Sequence, residues 1–300
     1  EGNDMLDVAV IGCGIVGANV AYLLSQHKLR AAVFEKENDV SMGTTRANSA
    51  IVHAGYDPEP GTAMARLNVR GSALTKEQCA AFDVKYRQIG SLVLAFSDEE
   101  MATVRRLYEN GVANGVPGVR VLTREETLAM EPNLSDAVCG ALYAPSAAIV
   151  EPWDLALALA EAAVENGVEL HLETAVTGAE KISGGWRLHT AKGDFEARAV
   201  VNAAGVEADL VAAMAGEPGF TTIPSRGEYY LLDKSQGYVV NHVVFQCPNR
   251  DGKGVLVSPT VHYNLIVGPN AEPSGREDVS TQADALAFVR EKAVKSVPGV

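Results

Sequence analysis

The sequence predicts an α/β fold in which a parallel-sheet unit is interrupted by a second, mixed-sheet α+β unit. Three observations predict it. The apolar run 8–11 leads straight into Gly12, Gly14 and Gly17. A second apolar run, 31–34, ends in the acid Glu35. Beyond Glu35 the strand–helix alternation stops, and residues 36–56 are polar and small instead.

Each part of the opening unit has a physical task. Gly12 allows a tight turn, Gly14 lets a pyrophosphate approach the backbone, and Gly17 lets helix and strand pack closely. Residues 18–26 form the helix, with Val20, Leu23 and Leu24 on one face. Its N-terminus offers unpaired N–H groups and a positive dipole end to phosphates. Glu35 is placed to accept from ribose hydroxyls. Strand, glycines, helix, strand and acid in this order predict a bound dinucleotide, which a lone glycine pattern would not. A plain nicotinamide-binding domain would continue through another helix and parallel strand, and residues 36–56 do not.

Composition narrows the function classes. The chain has 300 residues, 47% of them hydrophobic, and a net charge of −13. With no excess of Lys or Arg to neutralise phosphates, the composition argues against a nucleic-acid partner. A small anionic substrate needs a local positive cluster against that field. No run of about 18 apolar residues suggests a transmembrane segment. Cys13, Cys79, Cys139 and Cys247 form no C-x-x-C pair, which argues against a metal site and for reduced cysteines in a cytoplasmic protein.

Further along, a helix is expected over 61–82 and a strand over 87–96. Ser97 with Glu100, and Thr123 with Glu126, have the spacing of capping boxes that open two helices. Short strands are expected over 119–122 and 138–143. Pro152 suits the first position of a helix over 153–166 that ends at Gly167. That helix is rich in Ala and Leu on most sides, so burial between layers is expected. Strands follow over 168–172, 176–181, 186–190 and 199–202, the last running into Ala203-Ala204-Gly205. Small residues there let a backbone approach a ligand. Strands over 229–232, 239–245, 255–258 and 265–267 and a helix over 282–295 complete the chain. The expected division is 1–82 and 146–222 for the dinucleotide unit, with 83–145 and 223–300 for the second.

Several ordered motifs resemble the D-amino-acid-oxidase superfamily of FAD-dependent oxidoreductases, across 7–300. Besides the glycine turn they are Gly43-Thr44-Thr45-Arg46-Ala47-Asn48-Ser49-Ala50-Ile51-Val52-His53-Ala54-Gly55, Ile149-Val150-Glu151-Pro152, Val200-Val201-Asn202-Ala203-Ala204-Gly205, Pro224-Ser225-Arg226-Gly227-Glu228-Tyr229 and Gly254-Val255-Leu256-Val257-Ser258-Pro259-Thr260. The stretch from Ala47 to Pro58 is most similar to the bacterial anaerobic glycerol-3-phosphate dehydrogenase group, in the branch that also holds L-2-hydroxyglutarate dehydrogenase. The resemblance implies a Rossmann-like FAD-binding domain of the glutathione-reductase-type variant. In it Gly12, Gly14, Ile15, Val16 and Gly17 bind the pyrophosphate, with Glu35 on the adenosine ribose and Lys36 beside it. Thr44 and Thr45 line the phosphate and ribityl region, and Asn48 and Ser49 lie near the flavin ring. The Val176 backbone meets the adenine, and Ala203, Ala204 and Gly205 close over the cofactor. The family places a further strand and helix after the last residue here, so the C-terminal part of the family fold is expected to lie outside this sequence.

The implied reaction is oxidation of sn-glycerol 3-phosphate to dihydroxyacetone phosphate, with electrons passed on to an unidentified acceptor. L-2-hydroxy-acid dehydrogenation, amine or amino-acid oxidation, and a flavin-binding fragment without turnover are the alternatives. The location implied is cytoplasmic, or peripheral to a membrane through a partner. His53 is the candidate base, since an imidazole titrates near working pH; a flavin neighbour, a covalent flavin attachment and a histidine hydrogen-bonded in a loop are the other readings. Arg226 is the candidate anion clamp, because a guanidinium forks onto phosphate or carboxylate; an ion pair with an acid is its alternative. Tyr229, Tyr230, His262 and Tyr263 stand on the proposed substrate sheet, and Arg46, Arg66 and Arg70 are further sources of positive field.

Overall fold

The computed structural model describes residues 5–217, 219–248 and 254–300. They divide into two compact units, one of Glu1–Asn48 with Pro152–Pro224 and one of Ser49–Glu151 with Ser225–Val300.

The first unit is built on a six-stranded sheet. Its order is Val176–Ile182, Gly185–Thr190, Gly193–Asn202, Leu6–Ile11, Ala31–Phe34, Glu169–His171. The last four run parallel, with Val10 in register with both Val33 and Val201. The first three form an antiparallel meander. Ala31–Phe34 is buried throughout, as expected of a strand covered on both faces. Leu6, Ala9, Ile11, Phe34, Leu188 and Val211 make one core of this unit. The helices Ile15–Ser25 and Pro152–Glu165 pack on each other. Pro152–Glu165 does not have the all-round burial its composition suggests. Leu155, Leu159 and Ala163 are buried while Trp153, Leu157 and Val164 are exposed. Gly167 ends it at φ +96°, a left-handed conformation a Cβ would penalise.

The second unit carries a seven-stranded sheet in the order Tyr230–Leu232, Leu265–Gly268, Leu256–Pro259, Val243–Gln246, Ser91–Ala95, Gly140–Ala144, Arg120–Thr123. Only Val243–Gln246 and Ser91–Ala95 pair in parallel. Alternation along Ser91–Ala95 feeds two cores. Leu92 and Leu94 face the cluster that takes in Val289 and Ala293 of the helix Ala283–Ser296. Val93 and Ala95 face Val104 and Leu107 of the helix Asp98–Ala113. A small sheet joins Ile51–Val52, Ala148–Val150 and Tyr86–Arg87.

Three further expectations need correction. The first segment of the dinucleotide unit ends at Asn48 rather than at 82, because Ile51–Val52 pairs with Ala148–Val150 and so belongs to the second unit with the helix Ala63–Ala81. The strand expected over 87–96 breaks into Tyr86–Arg87 and Ser91–Ala95, with Gly90 at φ +75° between them. Thr123 and Glu126 form the reciprocal capping box, but Glu100 turns its carboxylate to the Phe96 N–H rather than to that of Ser97.

Candidate functional site

Three parallel strands end side by side in the first unit, and their ends carry the cradle. Gly12 follows the middle strand with φ +95°, its N–H donating to the Phe34 carbonyl at 2.8 Å. A Cβ on Gly12 would stand 2.5 Å from the Ala203 carbonyl oxygen, and one on Gly17 would stand 1.9 Å from that of Gly12. Neither position admits a side chain, so the turn, the helix start and Ala203 interlock only with glycine present. At Gly14 a Cβ would meet only the Thr45 hydroxyl, at 3.0 Å. This is the open side of the turn.

Gly14 is also the N-cap of Ile15–Ser25, in extended conformation and without a side chain to cap it. The first N–H groups of a helix have no intrahelical acceptor. One is taken: the Ile15 N–H donates to Thr45 Oγ1 at 3.0 Å. That brings the turn Thr44–Arg46 against the helix start. Asn48 holds the turn, its amide donating to the Thr44 and Thr45 carbonyls at 3.0 and 2.8 Å. Val16 is exposed in the first helical turn.

Glu35 is buried, and both its oxygens are fixed by backbone. Oε2 accepts from the Cys13 N–H at 2.7 Å and Oε1 from that of Glu37 at 3.0 Å. Each oxygen keeps lone-pair capacity for a hydroxyl. The Cys13 thiol between these groups is pushed up to about 12 by burial, then by the charges of Glu35 and Asp39. It is therefore a packed thiol and not a nucleophile. Beyond the third strand, Asn202 folds the next turn: Oδ1 accepts from the Ala204 N–H at 3.2 Å, and the amide donates to the Ala208 carbonyl at 2.7 Å. Lys36 reaches Glu207 at 3.0 Å. Val176 begins its strand half-buried, just before a shift in register.

These features fit an adenine dinucleotide. The cradle has no room for Cβ atoms, one helix start faces its open side, and a fixed carboxylate stands at the end of the adjoining strand. Gly12, Gly14, Ile15, Val16, Gly17, Thr45 and Glu35 would hold the pyrophosphate and adenosine of FAD; the flavin, when bound, supplies the redox chemistry.

The second unit gathers the other candidates. The Ser49 and Tyr229 hydroxyls are 2.7 Å apart, and burial raises the Tyr229 phenol. The His53 ring is exposed and stacks on Phe245, centroids 5.8 Å apart. Arg226 lies in an ion-pair network. Its Nε donates to Glu228 Oε1 at 2.8 Å, and its Nη1 donates to Asp278 and, at 3.1 Å, to Ser280. The Glu228 side chain is 2% exposed, so one face of the guanidinium serves a buried carboxylate. This arrangement is the ion-pair alternative raised for Arg226.

Sequence reasoning did not single out the cluster of Lys85, Glu151 and His262. His262 Nε2 stands 3.0 Å from Glu151, and Nδ1 stands 3.3 Å from Lys85 Nζ. The pattern could have hinted at Glu151, which sits in the quoted Ile149-Val150-Glu151-Pro152, but not at partners more than 60 residues away in either direction. Tyr263 is half exposed under the Arg87 guanidinium, 4.7 Å from its ring centroid. Arg46, Arg66 and Arg70 are exposed. Among the described residues no His, Cys, Asp and Glu group could hold a metal ion, and no helix is long and apolar enough to cross a membrane.

Comparison with known proteins agrees with this geometry. A glycerol 3-phosphate dehydrogenase from Caloramator mitchellensis is 48% identical over 294 residues, covering 98% of this chain and 61% of its own length. The L-2-hydroxyglutarate dehydrogenase of Escherichia coli (strain K12) is 32% identical over 273 residues, covering 89% and 64%. The chain thus spans less than two thirds of these curated relatives. Among solved structures, the dithionite-reduced L-alpha-glycerophosphate oxidase from Mycoplasma pneumoniae with FAD bound superposes with a TM-score of 0.92 at 29% identity, covering 99% of this chain and 79% of that one. The family described as FAD dependent oxidoreductase matches residues 7–300, end to end with the interlocked glycine turn and the segments around it, and the chain belongs to that family.

Proposed function

We propose that the protein oxidises sn-glycerol 3-phosphate to dihydroxyacetone phosphate, C2 giving up a hydride that bound FAD would accept. The observation that carries this reading is the 48% identity, over 98% of the chain, to a relative named glycerol 3-phosphate dehydrogenase. Identity to the L-2-hydroxyglutarate dehydrogenase is 32%, which makes the 2-hydroxy acid the second reading. In either case the substrate is small and anionic, and an electron acceptor of unassigned identity reoxidises the flavin.

The chain's own residues then have these tasks. The glycine turn, the start of Ile15–Ser25 and Glu35 fix the cofactor's adenosine half. His53 takes the C2 hydroxyl proton on its imidazole, in a ring held by stacking on Phe245. The Ser49–Tyr229 hydroxyl pair, whose serine lies four residues before His53 in sequence, supplies a neutral hydrogen-bonding group. Arg226, whose Nε and Nη1 are already paired with Glu228 and Asp278, orients rather than grips the anionic end.

The test is anaerobic mixing of FAD-loaded protein with each substrate while the visible flavin band is followed. Bleaching by glycerol 3-phosphate is expected. Bleaching by L-2-hydroxyglutarate alone would sink the first reading and establish the second. Bleaching by neither, with flavin still bound, would favour amine oxidation or a fragment without turnover.

A further inference from the structure

Lys36 and Glu207 form an ion pair that no part of the glycine fingerprint accounts for. Lys36 follows Glu35 at the end of Ala31–Phe34, and Glu207 closes the short turn Gly205–Glu207 after Gly193–Asn202. Those two strands flank Leu6–Ile11 on opposite sides, all three run parallel, and Gly12 to Gly14 lie at the end of the strand between them. Strands two places apart are separated by roughly 10 Å. Lys36 Nζ nevertheless stands 3.0 Å from both carboxylate oxygens of Glu207. The pair therefore reaches from one outer strand end to the other, across the end where the glycine turn sits.

The supports on either side are fixed. Glu35, next to Lys36, is held at both oxygens by backbone N–H groups. The turn carrying Glu207 is held by Asn202 through the Ala204 N–H and the Ala208 carbonyl, and the Glu207 N–H donates to the Ala204 carbonyl at 3.0 Å. Glu37 also approaches Lys36, at 3.8 Å. A surface pair between two mobile loops would contribute little. A pair between two anchored strand ends loses less side-chain and loop entropy, and this one spans the end of the sheet at which the glycine turn sits.

We propose that Lys36 and Glu207 are a clasp over the adenosine–pyrophosphate half of the bound cofactor, with Glu207 a positioning residue that retains FAD. The clasp rests on FAD binding and holds whatever the substrate is. Lys36 faces outward enough to open, its side chain 49% exposed against 29% for Glu207, so the cofactor enters by breaking this one contact.

A simple electrostatic view predicts the opposite result at one position, which makes the clasp testable. If the two residues acted only through charge, removing the Glu207 carboxylate would free Lys36 for the phosphates and slow FAD release. If they are a clasp, Glu207→Gln speeds it. Release is read from the rise in flavin fluorescence after dilution of FAD-loaded protein, independently of turnover. Expected are a release rate about three- to fivefold faster for Glu207→Gln and for Lys36→Met, the size of a single exposed ion pair, and near-parental release in the exchange of Lys36→Glu with Glu207→Lys. Salt should accelerate release from the parent and leave Glu207→Gln nearly unaffected. Slower or unchanged release from Glu207→Gln overturns the clasp, and because this variant is isosteric it decides the matter even if the exchange variant does not fold.

Discussion

At the scale of single residues, the three glycines do different work, and substitution should separate them. A Cβ at Gly17 falls 1.9 Å from the Gly12 carbonyl oxygen and cannot be relieved by moving a side chain. At Gly14 the obstacle is the Thr45 hydroxyl at 3.0 Å, the end of a side chain that can rotate. Gly17→Ala is therefore expected to lower the melting temperature and abolish FAD binding, while Gly14→Ala folds and binds FAD more weakly. Equal losses in fluorescence titration and melting would contradict this ordering. Cys13 gives a second residue-scale prediction. Its folded thiol titrates at about 12, against about 8.5 for an unfolded thiol. The folded state thus holds a proton that the unfolded state gives up, so its contribution is fully present below about pH 8.5 and is lost as pH rises toward 12. Urea unfolding at pH 8 and pH 11 should show falling stability, and Cys13→Ala should flatten that fall. The same slope in both proteins would assign it to other groups, such as the buried Tyr56 phenol, which burial also raises.

At the scale of elements, local chemistry accounts for the helix starts. Thr123 accepts from the Glu126 N–H while Glu126 accepts from that of Thr123, so two otherwise unpaired donors are satisfied. Thr123→Ala is expected to cost about 1 kcal/mol in denaturant unfolding, with FAD binding unchanged, since the helix Arg124–Met130 lies in the second unit. The strand Ser225–Arg226, paired with Glu272–Pro273, has in addition its Arg226 side chain tied to Glu228 and Asp278. Arg226→Ala leaves the buried Glu228 carboxylate without its cation, so a lower melting temperature should accompany any loss of substrate affinity. An unchanged melting temperature with a raised KM would instead make Arg226 a direct substrate contact.

At the scale of the whole molecule, two unlike sheets divide the labour. The parallel strands of the first end in the dinucleotide cradle, while the second unit holds the hydroxyl and imidazole groups proposed to handle substrate, with Ser49 and His53 flanking Ile51–Val52 of the small sheet and Tyr229 just before Tyr230–Leu232 of the mostly antiparallel one. Neither unit is contiguous in sequence. Crossing points at Asn48, Glu151 and Pro224 let one chain build both.

The dinucleotide turn, the strand Ala31–Phe34 and the reciprocal box at Thr123 follow from the order of amino acids alone, because each is set by residues close in the chain. Glycine spacing, a run of buried apolar residues and a Thr–Glu interval act over one or two turns of backbone, and the structure shows all three. The same order also determined the family, through motifs spread along 7–300. Tertiary structure decided what depends on distant partners. The boundary at Asn48 follows from pairing between Ile51–Val52 and Ala148–Val150, about a hundred residues apart. The one-sided burial of Pro152–Glu165 follows from which neighbours arrive, since an Ala- and Leu-rich helix leaves that choice open. The pairing of Arg226 with Asp278, the Lys85–Glu151–His262 cluster and the Lys36–Glu207 contact were illegible for the same reason. A charged side chain in sequence is compatible with many partners, and only the folded backbone selects the one within hydrogen-bond reach.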